Sequence, residues 1–506
     1  MTSDTALPQT QSTPTVDAAG AALASRNRMA LILLLAAVFV VFLNETMMNV
    51  ALPKIQESLR IDATQGQWLT TAFALTMAVV IPITGWLMQR LNTRPVFLMA
   101  MSTFSVGTLI AALSPVFEML VVGRVVQAIG TAIMMPLMMT TVMTIVAPNQ
   151  RGRIMGRISI VMSVAPAVGP VVSGALLQIL PWQGLFFVML PIAVAMLLVG
   201  MKWVPNVSET RSVPLDVPSV ILSALAFSAL VYGLSSIGTA AIGTAPVAPW
   251  LPITVGLILL AVFVWRQIVL QRTDSALLDL RTFKSRNFTL SVALLATAML
   301  ALFGTVIVLP QFARYALGLD TLWVGAILLP GGLVMGLLGP TVGRLFDKFG
   351  PRPLIIPGAI VVSIAMWTLA LGLGEGSSWV VLFVAYTVLC LGLAFLFTPL
   401  FSTSLGSLPP KLYSYGSATV ATLQQVAGAA GTAVFVALFA TGLAAAGNVD
   451  PEHPGAAEAA SGAHLAFVAG GIISLAVILI ATFITRPPVT EGHGDWSAAE
   501  AEADAA

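Results

Sequence analysis

Fourteen apolar runs, most of them close to the 20 or so residues that cross a bilayer as a helix, leave few folds open to this chain. They fall at 29–51, 67–87, 95–114, 118–145, 154–180, 185–204, 217–237, 250–269, 288–312, 321–342, 353–373, 378–402, 413–443 and 464–485. Only 9% of the 506 residues are charged, against about 25% in a soluble domain. So few charges cannot cover a water-facing surface, and the mean hydropathy of +0.96 agrees. Lipid is the solvent for most of the chain, and the fold class that follows is an all-α membrane protein.

Charge placement orients the spans, because Lys and Arg collect on the cytoplasmic side. With the N-terminus inside, Lys54, Arg60 and Arg314 fall outside and Arg124 lies within a span; the other nineteen of the 23 basic residues are cytoplasmic. The even number of spans then puts both termini in the cytoplasm of a cell (inner) membrane protein. Residues 1–28 are polar, rich in Ser, Thr, Ala and Pro, and read as a disordered cytoplasmic tail. They lack the basic start and short apolar core of a cleaved signal, so the first span is expected to be retained. Residues 486–506 read as a second cytoplasmic tail.

Two loops repeat. Gly85-Trp-Leu-Met-Gln89-Arg90-Leu-Asn92-Thr-Arg94-Pro95 aligns without gaps on Gly343-Arg-Leu-Phe-Asp347-Lys348-Phe-Gly350-Pro-Arg352-Pro353. Each follows the second span of its half. The chain therefore divides into a first six-helix bundle (29–204), two inserted helices (217–269) and a second six-helix bundle (288–485). Parallel repeats of this kind place substrate near the midplane, between the halves.

At these loops the chain resembles the major facilitator superfamily, in particular its fourteen-helix drug:proton antiporter branch, over about residues 29–485. The loops match that superfamily's first-loop motif, in which an Asp helps hold the cytoplasmic gate shut. The second copy keeps Gly343, Asp347, Gly350 and Arg352, whereas the first has Gln89 in place of the Asp and Asn92 in place of a Gly. Gly123-Arg124-Val-Val-Gln127-Ala-Ile-Gly130 resembles the superfamily's R-x-x-Q-G motif, and Ala165-Pro166-Ala-Val-Gly169-Pro170-Val-Val-Ser173-Gly174 its antiporter motif, associated with export. The first span ends Leu43-Asn44-Glu45-Thr46-Met-Met-Asn49-Val-Ala-Leu-Pro53, which is similar to the fourteen-helix branch and, in wording, to its lincomycin-resistance subgroup. The resemblance implies a major facilitator fold and gating or conformational roles for Gly85, Arg90, Arg94, Gly169, Pro170, Gly174, Asp347 and Arg352.

A charge at membrane depth costs at least about 2.5–3.5 kcal/mol, so it usually faces a cavity and works there. Glu45 lies about 16 residues into the first span, or roughly 24 Å, in its outer half and short of an exit near Pro53. Arg124 lies about six residues into the fourth span, roughly 9 Å from the outer surface. The depths match, and the two are expected to form the proton-coupling pair. Desolvation favours the neutral form of a carboxylate and a neighbouring guanidinium favours the ionised form, so a carboxylate moving between such settings loads and unloads a proton. The bland alternative leaves Glu45 solvated and inert at the outer mouth. Asn44, in the slot of the family's Asp, is about 100° around the helix from Glu45, and Asn49 shares the face of Glu45. Asn44, Asn49, Gln127, Gln424 and Gln425 are candidates for the substrate cavity, with support of Arg124 one turn away as a further role for Gln127, and helix–helix hydrogen bonding as the alternative for Asn49 and the two later glutamines. Met134, Met135, Met138 and Met139 form either an adaptable wall for varied ligands or ordinary packing.

Chemistry of other classes is poorly supported. No Gly-Lys dipeptide exists for a phosphate-binding loop, and no hydrolase motif stands out, so no enzyme activity or cofactor is expected. Cys390 is the single cysteine, and the three histidines have no zinc spacing, so no metal is expected. The basic residues form no stripe for nucleic acid. The expected partners are small-molecule drugs, protons and the bilayer, and the expected state is a monomer. The leading function is proton-coupled export of hydrophobic, often cationic compounds by alternating access. A carrier of the same fold for one metabolite or antibiotic is the first rival, and a membrane component needing a partner ATPase the second.

Overall fold

A computed structural model describes residues 15–207, 210–211, 213–241, 247–374, 376–447 and 454–485. Fourteen long helices dominate, with no strand among the described residues: α1 (Thr15–Leu59), α2 (Ala63–Arg90), α3 (Thr93–Ala112), α4 (Phe117–Ile145), α5 (Arg151–Leu176), α6 (Gln183–Trp203), α7 (Val217–Ala241), α8 (Trp250–Leu270), α9 (Arg286–Tyr315), α10 (Thr321–Phe349), α11 (Arg352–Gly372), α12 (Trp379–Gly406), α13 (Tyr413–Ala445) and α14 (Ala456–Ala481). Each carries a stretch long and apolar enough to cross a membrane. Helices are what lipid demands of open chain segments, since every backbone N–H and C=O must be paired within the segment.

The helix starts follow local chemistry. Asp62 accepts from Gln65 N and Gln65 reaches back to Asp62 N, a capping box that opens α2. Asp320 caps α10 by accepting from Trp323 N at 2.9 Å. The two aspartates stand as far apart in sequence as Gly85 and Gly343, so the repeat extends from the loops back to the caps.

Two helices begin well before their apolar runs. α1 begins at Thr15, so 15–28 continue the helix rather than forming a disordered tail; the alanine-rich stretch Ala18-Ala-Gly-Ala-Ala-Leu-Ala24 suits that state. α1 also continues as a helix through Pro53 to Leu59. α14 starts at Ala456 rather than at 464, again through Ala-rich sequence. Apolar run length measures what lipid needs, not where the backbone stops. The expected tails over 1–14 and 486–506 lie outside the described residues.

α1–α6 form one bundle and α9–α14 another, with α7 and α8 inserted as a hairpin. α7 packs on both α2 and α13, so the insert straddles one seam between the bundles. It is held by specific polar groups. Arg266 on α8 donates two hydrogen bonds to Asp216, 2.8 and 2.7 Å long. Gln267, fully buried, donates to Ser219 Oγ and accepts from Leu277 N and Leu278 N. Leu277 and Leu278 thereby bury beside Phe227, Phe263 and Ala418. On the other flank Trp86 Nε1 donates to Val213 O, and Arg211 N donates to Gln89 O.

The bundles meet closely at one end, the basic end, which carries the α2–α3, α4–α5, α10–α11 and α12–α13 connections. Along α5 and α10, Gly152 and Gly156 face Gly343 and Gly339; a Cβ at Gly156 would run into the Gly339 carbonyl, and one at Gly343 into that of Gly152. Only glycine permits this backbone approach. At the α2–α13 seam a Cβ on Gly85 would lie 3.2 Å from the Tyr415 ring and 3.3 Å from Ala418.

Candidate functional site: an acid and a buried arginine above a closed seam

Arg124 is 1% exposed on α4, one of the largest side chains fully enclosed in the protein. Its guanidinium Cζ lies 4.1 Å from the ring centroid of Phe73 on α2. Nη1 donates to Gln127 Oε1 at 3.2 Å, one turn along the same helix. Gln127 Nε2 donates to Thr108 Oγ1 on α3 at 2.8 Å, and Thr108 donates on to Phe104 O at 2.7 Å. The chain of contacts depends on α3 and α4 lying close. Gly107 permits that, since a Cβ there would meet the backbone of Gln127.

Glu45 sits half-buried on α1. It lies 14 residues, roughly 21 Å, from the helix end at Leu59. Its carboxylate and the Arg124 guanidinium interact electrostatically. No salt bridge joins them, however; the ion pairs among the described residues are Arg266–Asp216, Arg281–Asp274 and Arg281–Asp279. Glu45 Oε2 and Arg124 Nε are both buried without a hydrogen-bond partner.

α1 is stapled to α5 around this point. Thr46 Oγ1 donates to the α5 carbonyl of Ala165 as well as to Leu43 O on its own helix, and Gly169 backs directly onto Thr46. Ser173 Oγ donates to Met47 O at 2.9 Å, and Lys54 Nζ donates to Leu177 O. Pro166 and Pro170 lie inside α5, with Pro170 exposed. Gly174 differs from its neighbours: a Cβ there meets nothing within 4 Å, so no close approach explains it.

The polar candidates separate. Gln127 is enclosed rather than cavity-facing and, as expected from its place one turn from Arg124, supports the guanidinium, bridging it to Thr108. Asn44 is also buried, at 4%, with Nδ2 unpartnered. Asn49 is exposed, and Gln424 and Gln425 are half-buried, with Gln424 Nε2 enclosed and unpartnered. Met134, Met138 and Met139 belong to the packed core, and Met135 is partly buried against it, which favours packing over a ligand wall.

Of the gate candidates, Gly85, Arg90, Arg94, Asp347 and Arg352 lie at the basic end, whereas Gly169, Pro170 and Gly174 lie in the later half of α5. Asp347 on α10 accepts from Gly152 N at 2.8 Å and Arg153 N at 2.9 Å, at the first turn of α5, where the helix dipole favours an anion. Gln89, its counterpart in the repeat, uses the opposite polarity: Nε2 donates to Lys411 O at 3.0 Å and Ser414 Oγ at 3.1 Å. Further cross-bundle bonds join Thr140 to Ser417, Ser159 to Thr398, and Arg151 to Tyr413. Arg94 ties the start of α3 to the end of α6 through Asn206 and Met201 O. Arg90 and Arg352 are exposed at the end of α2 and the start of α11. Phe73, Thr108, Ser414 and Ser417 carry no signal of their own in sequence, since Phe, Thr and Ser are ordinary in apolar spans. The need of Arg124 and Gln89 for partners is the one available signal for Phe73, Thr108 and Ser414, and Ser417 has none.

Two pseudo-repeated helical bundles in a chain with fourteen membrane-length helices define a multi-pass membrane protein of transporter architecture. The family model described as Major Facilitator Superfamily matches residues 34–432, and the chain belongs to that superfamily, whose members carry small molecules across membranes. It is 41% identical over 452 residues to the lincomycin resistance protein LmrB of Listeria monocytogenes, covering 88% of this chain and 94% of that one. It is 28% identical over 404 residues to the multidrug export protein EmrB of Escherichia coli, covering 79% and 77%. Among solved structures, the human organic anion transporter MFSD10 (TETRAN) shares the fold with a TM-score of 0.67 at 15% identity, over 90% of this chain and 99% of that one.

Proposed function

We propose that the protein is a proton-coupled drug exporter of the cell membrane, with both termini cytoplasmic, that moves hydrophobic and often cationic compounds by alternating access. The observation that carries this reading is the Glu45–Arg124 pair. Buried charge is expensive and serves function; Arg124 and Asp279 are the only charged side chains fully buried among the described residues, and Asp279 lies in the α8–α9 connection. Glu45 is the proton carrier and Arg124 sets its affinity. The closed basic end corresponds to the outward-facing member of the cycle, with Asp347 and Gln89 as the two halves of the cytoplasmic gate. Asn49, Gln424 and Gln425 are the polar contacts offered to substrate, while Gly169 and Pro170 let α5 approach and bend. Likeness to LmrB and EmrB supports drugs as the cargo.

The test is transport by purified protein in proteoliposomes with an imposed pH gradient and no nucleotide, using lincomycin and several unrelated cationic dyes. Movement of several compounds that stops when a protonophore collapses the gradient is the expected result. Movement indifferent to the gradient overturns proton coupling. The 41% identity to a protein named for resistance to one antibiotic favours, as a second reading, a carrier selective for lincomycin-like compounds; transport of lincomycin but none of the dyes would establish it.

A further inference from the structure

Arg124 touches a ring where a carboxylate stands in range. Its guanidinium lies on Phe73, its Nη1 is tied through Gln127 to Thr108, and its Nε–H remains buried and unpartnered. Glu45 Oε2, the acceptor that matches this donor, is buried and unpartnered too. An aromatic face attracts a cation without neutralising it. The ring therefore offers the guanidinium a resting place that leaves the acid free to hold a proton.

We propose that Phe73 and Thr108 are positioning residues that park Arg124 away from Glu45, and that transfer of the guanidinium from the Phe73 ring to the Glu45 carboxylate accompanies proton release. The inference rests on the reading of Glu45 as the proton carrier. The step balances: the proton leaves Glu45 to water, and the new carboxylate pairs with a guanidinium that was charged throughout.

Few other charges bear on the site. The helices packed against α4 are α1, α2, α3, α5 and α13. Besides Glu45, their described ionisable side chains are Arg28, Lys54 and Glu57 on α1, Arg90 on α2, Arg94 on α3, Arg151, Arg153 and Arg157 on α5, and Tyr413 and Tyr415 on α13, with Glu118 on α4 itself. Except for Arg28, all sit toward helix ends, and Glu45 is the charged group that interacts electrostatically with Arg124.

The test compares pH profiles of drug transport in proteoliposomes for the wild type, Phe73→Leu, Phe73→Trp, Thr108→Val, Thr108→Ser and Glu45→Gln. Phe73→Leu keeps an apolar side chain but loses the π face, so Arg124 moves to Glu45 and half-maximal transport shifts to lower pH by about one unit, a tenfold change in proton affinity. Phe73→Trp restores the face and the wild-type midpoint. Thr108→Val shifts the midpoint the same way, and Thr108→Ser rescues it. A wild-type midpoint in both Phe73→Leu and Thr108→Val, alongside loss of coupled transport in Glu45→Gln, overturns the parking role and leaves the carrier role standing. A wild-type profile in Glu45→Gln overturns the carrier role, and the parking role with it. Should Phe73→Leu fail to accumulate in the membrane, Thr108→Val and its Ser rescue decide alone.

Discussion

Single residues differ in how plainly the sequence announces them. Glu45 and Arg124 are legible because an ionisable group inside an apolar run needs a reason to be there. Their surroundings are not. Gln127 reads both as support for Arg124 and as a cavity residue, and only the structure shows its two side-chain hydrogen bonds spent on Arg124 and Thr108. Asp216 is a different case, outside the spans. Arg266 hydrogen-bonds its carboxyl and holds it down at about 2, helped by Ser219. The unfolded value is about 3.9, so the ionised form favours the folded insert. That contribution is fully present above about pH 4 and fades as pH falls toward 2. Thermal unfolding in detergent tests this: Asp216→Asn is expected to melt lower than the wild type at pH 7, with the gap closing below about pH 4. A gap that ignores pH would mean the loss is one of packing.

Elements were the most legible scale in existence and the least in their ends. All fourteen helices coincide with apolar runs, yet α1 and α14 overrun theirs through alanine-rich sequence that a hydropathy count passes over. Contacts between elements needed the structure, since no pattern in α5 alone reveals that Gly156 meets Gly339 on α10. Adding a side chain there forces the seam apart. Overpacking of this kind costs about 1–3 kcal/mol, which corresponds to a roughly 5- to 150-fold shift between two states. In Gly156→Val the shift is toward a basic end that opens. With Cys390 replaced by Ser, a reporter cysteine at Ser163 should react faster with a water-soluble thiol reagent in the valine variant; equal rates would show that the seam tolerates the branch. The other seam has its own logic. Gln89 donates to Lys411 O, so Gln89→Asp, although it restores the acid of the repeat, sets an acceptor against a carbonyl. It is expected to loosen the α2–α13 contact, read as faster labelling of a cysteine at Ser417, whereas a tighter seam would show that the acid finds the α13 amides as Asp347 finds those of α5.

The whole molecule is a repeat whose halves share scaffolding but not chemistry. Loops, caps and helix order recur, as the pairs Gly85 and Gly343 and Asp62 and Asp320 show. Glu45 and Arg124 both lie in the first bundle, where Arg124 is fully enclosed; its counterpart position by the spacing of the repeat is Leu382, equally buried and apolar. On the proposed role of Glu45, coupling would be a property of one half, with the second supplying the surface that closes against it. The insert α7–α8 adds a brace across the α2–α13 seam that a twelve-helix arrangement lacks. Proton counting on the purified protein tests the central claim most directly. In weak buffer, saturating the wild type with a transported drug should release protons, while Glu45→Gln binds the same drug and releases none. Equal proton release from both would contradict a proton carried at Glu45.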